Sequence, residues 1–250
     1  MRLAHELVKT RRRTDGVQDS WQNVGVSLNA RLNFDTLIPT SGNHAALDVC
    51  REFAISPCLE SNVLLLHGGT AVGKSHLLHA MRSMARQRQS DGKVILITCE
   101  AWLIQQFTAI RSKPTEEFRE NYRGLELLLV DDVQILNDRP ITQRVFSNFL
   151  ASLVIEGTRV ASAHSGLLTD IPCIAESHKR LVLEISQPTV EEMISILARR
   201  FPNIPLEAVE AACAYDHRDI RRAEGRLNSF SFAEEIKNLT SACLSQQPSS

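Results

Sequence analysis

The chain has 250 residues, of which 43% are hydrophobic and 23% charged, a composition typical of a globular protein with a substantial core. Its 28 Lys and Arg residues nearly balance 29 Asp and Glu residues, so the net charge of -1 gives no overall electrostatic drive toward nucleic acid and leaves a local basic face open. The six cysteines form no C-x-x-C pair, which argues against a zinc site or a disulfide framework and favours a cytoplasmic protein.

Residues 1–30 mix charged, hydroxyl and amide side chains with little periodicity, and we predict a flexible leader there. The basic cluster at residues 11–13 is either part of a solvated linker or a contact for phosphate or an acidic partner. Neither this segment nor any later one approaches the roughly 18 apolar residues of a spanning helix, so we expect neither secretion nor contact with a membrane.

From residue 45 onward, short apolar runs alternate with amphipathic stretches, which predicts a parallel sheet flanked by helices. Five runs are typical of strands: 63–67, 93–98, 127–130, 159–162 and 181–185. Three helical patterns follow Pro188: 189–201, 205–215 and 218–237. The sequence therefore predicts an α/β domain over residues 31–186, an all-helical unit over 187–240 and a disordered tail over 241–250.

The segment GGTAVGKS at residues 68–75 matches G-x-x-x-x-G-K-[ST], follows a predicted strand and opens a helical pattern. In this P-loop motif, glycines let backbone N–H groups and the helix N-terminus face phosphate oxygens. Lys74 would reach the β- and γ-phosphates of the nucleotide, and Ser75 would hold Mg²⁺ through its hydroxyl. The predicted nucleotide-binding residues of this segment are Gly68, Gly69, Thr70, Ala71, Val72, Gly73, Lys74, Ser75 and His76.

A second motif consists of two aspartates, Asp131 and Asp132, near the end of the apolar run LELLLVDDVQ at residues 125–134. Asp131 would engage the metal through its water shell, and Asp132 would polarise the water that attacks the γ-phosphate. The alternative is a strand that merely ends in an acidic turn. Because a P-loop needs such an acidic strand, we predict that Ser75 and Asp131 form the metal site.

Five blocks then carry a family resemblance: NFDTLI at 33–38, GGTAVGKSHLLHA at 68–80, TEEFRENYR at 115–123, LLLVDDVQ at 127–134 and DIRRAEGRLN at 219–228. In order and spacing they resemble the DnaA family over about residues 28–235. The resemblance implies an AAA+ P-loop NTPase, with a five-stranded parallel sheet, a helical lid, ATP between them, and subunits that assemble on the nucleotide.

Several single residues are assigned by the same resemblance. Arg221 corresponds to the lid arginine, sensor 2, which would pair with phosphates. Phe34, Leu37 and Ile38 would lie near the adenine, or else pack under the lid. Ala71 replaces a usual glycine, and we expect this to be tolerated if φ stays negative there.

Two positions depart further from the family pattern. The fourth strand lacks the usual sensor 1 Asp, so Ser162 or His164 would orient the water and hydrolysis would be slow. The arginine-finger motif is shortened. Arg180 or Lys179 would either contact the nucleotide of a neighbouring subunit or be a solvent-exposed charge at a strand end. The predicted catalytic residues are Lys74, Asp132, His164, Arg180 and Arg221.

The helical segment 100–118 resembles the part of the family that holds single-stranded DNA. Phe107, Arg111 and Arg139 lie where contacts would occur, but Ile141 replaces a basic residue, so we expect at most weak contact. No second basic recognition helix follows the helical unit, so sequence-specific binding of duplex DNA is not expected.

The leading functional hypothesis is a DnaA-like ATPase acting in initiation or regulation of chromosomal replication. ATP and ADP would control self-association or binding to DnaA or another replisome protein. The alternatives are an Hda-like regulator of DnaA, a helicase loader and, from another class, a non-hydrolysing scaffold that holds nucleotide for structure.

Overall fold

The structure, a computed structural model, describes residues 31–56, 61–88, 93–112, 115–166, 180–215 and 219–245. Its strands are β1 (Val63–Gly68), β2 (Lys93–Thr98), β3 (Leu125–Asp131), β4 (Arg159–Ser165) and β5 (Arg180–Ile185). They form one parallel sheet in the order β2-β3-β4-β1-β5. All five predicted strands are confirmed, and the predicted AAA+ class of α/β fold is confirmed with them.

Eight α-helices accompany the sheet within the described ranges: α1 (His44–Ile55), α2 (Lys74–Arg88), α3 (Cys99–Ser112), α4 (Thr115–Tyr122), α5 (Pro140–Ile155), α6 (Val190–Arg200), α7 (Leu206–Tyr215) and α8 (Ile220–Ser245). A short 3-10 helix, Val133–Leu136, follows β3 directly. None of the helices in these ranges is long and apolar enough to cross a membrane.

The chain divides into two compact units. Of the residues that the structure describes, the first unit contains those within 31–37, 45–68 and 73–185, and the second contains those within 38–44, 69–72 and 186–245.

The first unit is built on the central strands, whose apolar side chains are covered on both faces as expected for a parallel sheet. Beside the sheet lies an aromatic cluster in which the Trp102 ring of α3 meets Phe146 edge-on at 4.8 Å between centroids and Phe149 at 5.4 Å. Aromatic contacts of this kind contribute about 0.5–1.5 kcal/mol each beyond area burial. They fix α3 and α5 against the strands that carry the site.

The second unit has its own core, in which Met193, Leu197, Val209, Ala223 and Leu227 are buried. Helix α6 begins with a capping box, since the Thr189 hydroxyl accepts from the Glu192 N–H and the Glu192 carboxylate accepts from the Thr189 N–H. The same carboxylate accepts from the Ser41 N–H at 2.6 Å. This carboxylate therefore joins the short stretch 38–44 to the helices of this unit.

Helix α8 continues to Ser245, five residues into the segment predicted to be a disordered tail from residue 241. The reason is local, because residues 226–245 contain neither Gly nor Pro, and the first proline after α8 begins is Pro248. Residues 246–250 and the predicted leader 1–30 lie outside the described residues.

Candidate nucleotide-binding site

The P-loop connects the end of β1 to the start of α2. Gly68 has a φ of 145°, and a side chain there would collide with the Ile185 carbonyl oxygen of β5. Gly73 has a φ of 104°, also in a region that favours glycine. The first hydrogen bond of α2 runs from Leu77 N–H to Gly73 C=O, so the N–H groups of residues 74–76 precede the helical ladder and form its positive end.

Ala71 does not meet the condition under which its replacement of a glycine was expected to be tolerated. Its φ is 62°, in the left-handed region rather than negative. An alanine in this conformation costs roughly 1–2 kcal/mol because its Cβ crowds the following carbonyl. The P-loop of this chain therefore contains a strained residue, Ala71.

Lys74 and Ser75 connect the P-loop to neighbouring backbone and to the acidic strand. The Lys74 ammonium is buried and donates to the Gly68 carbonyl at 3.1 Å. The Ser75 hydroxyl hydrogen-bonds the side chain of Asp131, the last residue of β3. The two motifs that are separate in sequence thus meet in space at the carboxyl ends of β1 and β3.

The electrostatics of Asp131 suit a cation. Burial raises the pKa of this carboxyl and the neighbouring Asp132 charge raises it further, while the Ser75 hydroxyl, the Asp132 N–H and Lys74 oppose the shift. Within the part of the chain that the structure describes, no group of three His, Cys, Asp or Glu is placed to hold a metal. A hydroxyl and one carboxylate nevertheless fit Mg²⁺, which takes few protein ligands and completes its shell with water and phosphate.

Asp132 lies at the exposed start of the 3-10 helix with a φ of 58°. Asp tolerates this left-handed conformation better than most residues, and such conformations gather at functional sites. Gln134 donates from its amide to Asp132 Oδ1 at 2.8 Å, and its carbonyl oxygen accepts from the Ser165 N–H at 2.9 Å. Gln134 belongs to the sequence block that predicted the aspartates, but its role there was missed.

Strand β4 lies between β1 and β3, so its carboxyl end is flanked by the P-loop and the acidic motif. His164 is buried there, pairs in register with His67 of β1, and its Nε2 lies 3.4 Å from Asn137 Oδ1. Ser162 lies deeper in the sheet, in register with Leu65 and Val130. Of the two sensor 1 candidates, His164 is therefore nearer the strand end that borders the P-loop.

His79 was missed by sequence reasoning. It lies one helical turn after Ser75 on α2, and it is buried with its pKa lowered by burial and by Arg82, although the Asp131 charge opposes the shift. The i, i+4 spacing from Ser75 was the available signal. A neutral imidazole at this place adds no positive charge beside the acidic motif.

The segment predicted to lie near the adenine contacts the P-loop helix. His76 Nε2 lies 2.9 Å from the Asn33 carbonyl oxygen, and Leu37 Cδ1 lies 3.8 Å from where a Gly73 Cβ would be. The Phe34 ring is covered by the Arg51 guanidinium of α1, 5.2 Å from its centroid. The adenine role of these residues stays a prediction, and Phe34 already has a packing partner.

Arg180 begins β5 in register with Val63, at the amino end of β1, whereas the P-loop follows the carboxyl end. The two ends of such a strand are about 16 Å apart at about 3.3 Å per residue. Arg180 therefore cannot act on the P-loop of its own chain, and a role in a neighbour's site stays a prediction. Lys179 lies outside the described residues.

Arg221 lies in the first turn of α8, in the second unit. Its backbone N–H bonds Asp219 Oδ1 at 3.1 Å, and its charge opposes the rise that burial causes in the pKa of Glu224, which also pairs with Arg200. The sensor 2 role of Arg221 stays a prediction.

A parallel β2-β3-β4-β1-β5 sheet, with a P-loop after β1 and an acidic residue ending β3, defines a P-loop NTPase of the AAA+ class. The family model described as the bacterial DnaA ATPase domain matches residues 28–166. The chain therefore belongs to the bacterial DnaA ATPase domain family, as the sequence blocks predicted.

Individual relatives agree with this assignment. The chromosomal replication initiator protein DnaA of Ehrlichia ruminantium (strain Gardel) is 30% identical over 234 residues, covering 89% of this chain and 50% of the relative. Domain III of DnaA from Thermotoga maritima superimposes with a TM-score of 0.74 at 24% identity, covering 85% of this chain and 92% of that one.

A replication initiator DnaA bound to AMPPCP and single-stranded DNA has a TM-score of 0.69 at 21% identity, with 86% and 70% coverage. At these identities, the solved structures show likeness of fold. The chain spans about half the length of the curated relatives that it matches.

Proposed function

We propose that the chain binds ATP and ADP with Mg²⁺ through residues 68–76 and acts in the initiation or regulation of chromosomal DNA replication. Nucleotide state would control its assembly with itself, with DnaA or with another replisome protein, in the cytoplasm where a bacterial chromosome lies. The observation that carries the proposal is the Ser75–Asp131 hydrogen bond, which joins the P-loop helix to the acidic strand.

Mg²⁺ would be held by Ser75 and, through water, by Asp131, and would neutralise phosphate charge there. Lys74 supplies the fixed cation beside the P-loop backbone, and its burial means that its charge is little screened by solvent. Asp132 would accept a proton from water, a role supported by its exposure and its position directly after Asp131.

The test is nucleotide binding by the purified chain, comparing ATP with ADP and parent with Lys74→Ala, with light scattering recorded on the same samples. Lys93→Ala is the matched control, because Lys93 begins β2 at the opposite end of the sheet and donates to the Arg123 carbonyl. Binding that only Lys74→Ala abolishes, with assembly in ATP alone, supports the proposal. Identical assembly without nucleotide, with ADP and with ATP would contradict the switch.

An Hda-like regulator is the second candidate, and the position of Arg180 makes it testable. Because this arginine lies far from its own P-loop, it would act only on a neighbour's nucleotide. Stimulation of phosphate release by DnaA that disappears in Arg180→Ala would favour the regulator. Stimulation that survives this change would remove Arg180 from that role.

The non-hydrolysing scaffold is supported by the strained Ala71 and by His164 at the sensor 1 position. It predicts tight nucleotide binding without phosphate release. Phosphate release by the parent that Lys74→Ala abolishes would eliminate it.

Contact with single-stranded DNA is proposed to be weak. The large side chains that α3 exposes are apolar, with Ile104, Phe107 and Ile110 exposed by 47%, 58% and 62%. The side chain of Arg111 lies outside the described part, and at α5 Ile141 is 77% exposed where a cation was expected. Affinity for an oligothymidylate that falls with salt and is lost in Phe107→Ala would support such contact.

A further inference from the structure

The side chain of Gln134 joins Asp132 to strand β4 by two hydrogen bonds. It lies in the 3-10 helix, whose Val133 and Leu136 are buried and anchor it against the core. Its amide nitrogen lies 2.8 Å from Asp132 Oδ1 and its amide oxygen 2.9 Å from the Ser165 nitrogen. The Gln134 side chain thus connects Asp132, the candidate base, to the end of strand β4, which carries His164.

The chemistry of the two partners determines how this amide is oriented. A carboxylate only accepts hydrogen bonds and a backbone N–H only donates them, so the amide NH₂ must face Asp132 and its oxygen must face Ser165. Glutamate could not donate to Asp132, and a hydrocarbon side chain of equal length could bond neither partner. The position therefore uses both functions of the glutamine side chain.

The connection continues to the P-loop. Gly166, the residue after Ser165, forms a β-bridge with Gly68, the first P-loop residue, and the Gly68 carbonyl accepts from the Lys74 ammonium. Asp132, Gln134, the end of β4, Gly68 and Lys74 are thus connected through hydrogen bonds and the Ser165–Gly166 peptide bond. Movement of the P-loop backbone would reach Asp132 through Gln134.

We infer that Gln134 is a positioning residue that holds the Asp132 carboxylate in one orientation and couples it to the P-loop through the end of β4. The inference rests on the proposed function, because it assumes that Asp132 acts on water beside bound ATP. A carboxylate held by one oxygen cannot rotate freely, and its second oxygen is left to accept from water. Loss of Gln134 would release this orientation without removing any group that binds phosphate.

The experiment measures steady-state phosphate release and ATP dissociation constants for the parent, Gln134→Met and Gln134→Ala. The methionine variant keeps side-chain length and loses both hydrogen bonds. Gln143→Met is the matched control, because Gln143 donates to the Leu136 carbonyl at 2.9 Å and so supports the same 3-10 helix without touching Asp132. We expect kcat to fall at least about tenfold in both Gln134 variants, with KM and the ATP dissociation constant within about twofold of the parent.

Each of the other outcomes contradicts either the positioning role of Gln134 or the proposed function. If the parent hydrolyses ATP and the Gln134 variants match it, or if Gln143→Met loses kcat equally, the positioning role is overturned and the proposed function stands. If the parent binds ATP without releasing phosphate, the inference fails while the nucleotide site survives. If the parent binds no nucleotide, the proposed function fails and the inference fails with it.

Discussion

The Ser75 hydroxyl of the P-loop helix hydrogen-bonds the Asp131 carboxylate at the end of β3. This contact unites two segments that are more than fifty residues apart in sequence. It also places a carboxyl whose pKa is raised by burial and by Asp132 beside the predicted magnesium ligand. The ionised form of Asp131 is therefore costly to the free protein and is suited to a bound cation.

Asp131→Asn should have opposite effects on stability and on metal binding. Because the folded pKa of Asp131 lies above its ordinary 3.8, this group costs stability at pH values above the folded pKa, and the cost fades as pH falls through the folded pKa to 3.8. The neutral variant should unfold at higher denaturant concentration near neutral pH without nucleotide. The variant should also bind Mg²⁺ about 10–100-fold more weakly in the presence of ATP.

The control for this change is Asp138→Asn, at an exposed left-handed residue just beyond the 3-10 helix. Asn accepts that conformation, so stability and Mg²⁺ dependence should both stay near the parent. An Asp131→Asn protein with parental Mg²⁺ dependence would remove Asp131 from the metal site.

Ala71→Gly should stabilise the chain. Relief of the left-handed strain contributes about 1–2 kcal/mol, offset by about 0.4–1 kcal/mol from the more flexible unfolded chain, so a net gain of about 0.5–1 kcal/mol is expected. Equilibrium unfolding in urea measures it. Ala151→Gly, within helix α5, should instead lose about 1 kcal/mol. If both variants lose stability alike, the positive φ of Ala71 is not a source of strain.

Glu192→Gln should destabilise the second unit in a pH-dependent way. The Ser41 and Thr189 backbone N–H groups lower the pKa of Glu192 below its ordinary 4.5. A depressed carboxyl pKa stabilises the folded state above 4.5, and this stabilisation disappears as pH falls through the folded pKa. Thermal unfolding of parent and variant should therefore differ near neutral pH and converge in acid.

Glu207→Gln serves as the comparison, since Glu207 is also an acidic residue in the first turn of a helix, α7. Its effect should be smaller, because no capping box is described there. A Glu192→Gln difference that persists unchanged in acid would contradict the assigned cause.

Arg221→Ala should weaken ATP binding about tenfold, which corresponds to about 1.4 kcal/mol, and should affect ADP less, because a lid arginine pairs with the terminal phosphate. Arg222→Ala is the neighbouring control, since the Arg222 guanidinium already pairs with Asp219 at 3.4 Å. Its ATP affinity should remain within about twofold of the parent. Equal losses in the two variants would indicate a general effect of positive charge on this helix.

The sequence by itself determined the five strands, the P-loop and the three helical patterns after Pro188, because these depend on local properties. Apolar runs such as 63–67 and 127–130 are strand-like wherever they lie, and the spacing of Gly68, Gly73, Lys74 and Ser75 is a property of eight consecutive residues. The pairing of Ser75 with Asp131 was also predictable, since a P-loop requires an acidic strand end nearby.

Only the tertiary structure decided where β4 and β5 lie and what their ends contact. Strand order places His164 and Ser165 between the P-loop and the acidic motif, and the register of β5 with β1 places Arg180 at the far end of the sheet. The positive φ of Ala71 and the hydrogen bond from the Ser165 N–H to Gln134 likewise follow from how the loop and strand ends pack. Such features depend on partners distant in the chain, and no local pattern of residues encodes the distance between them.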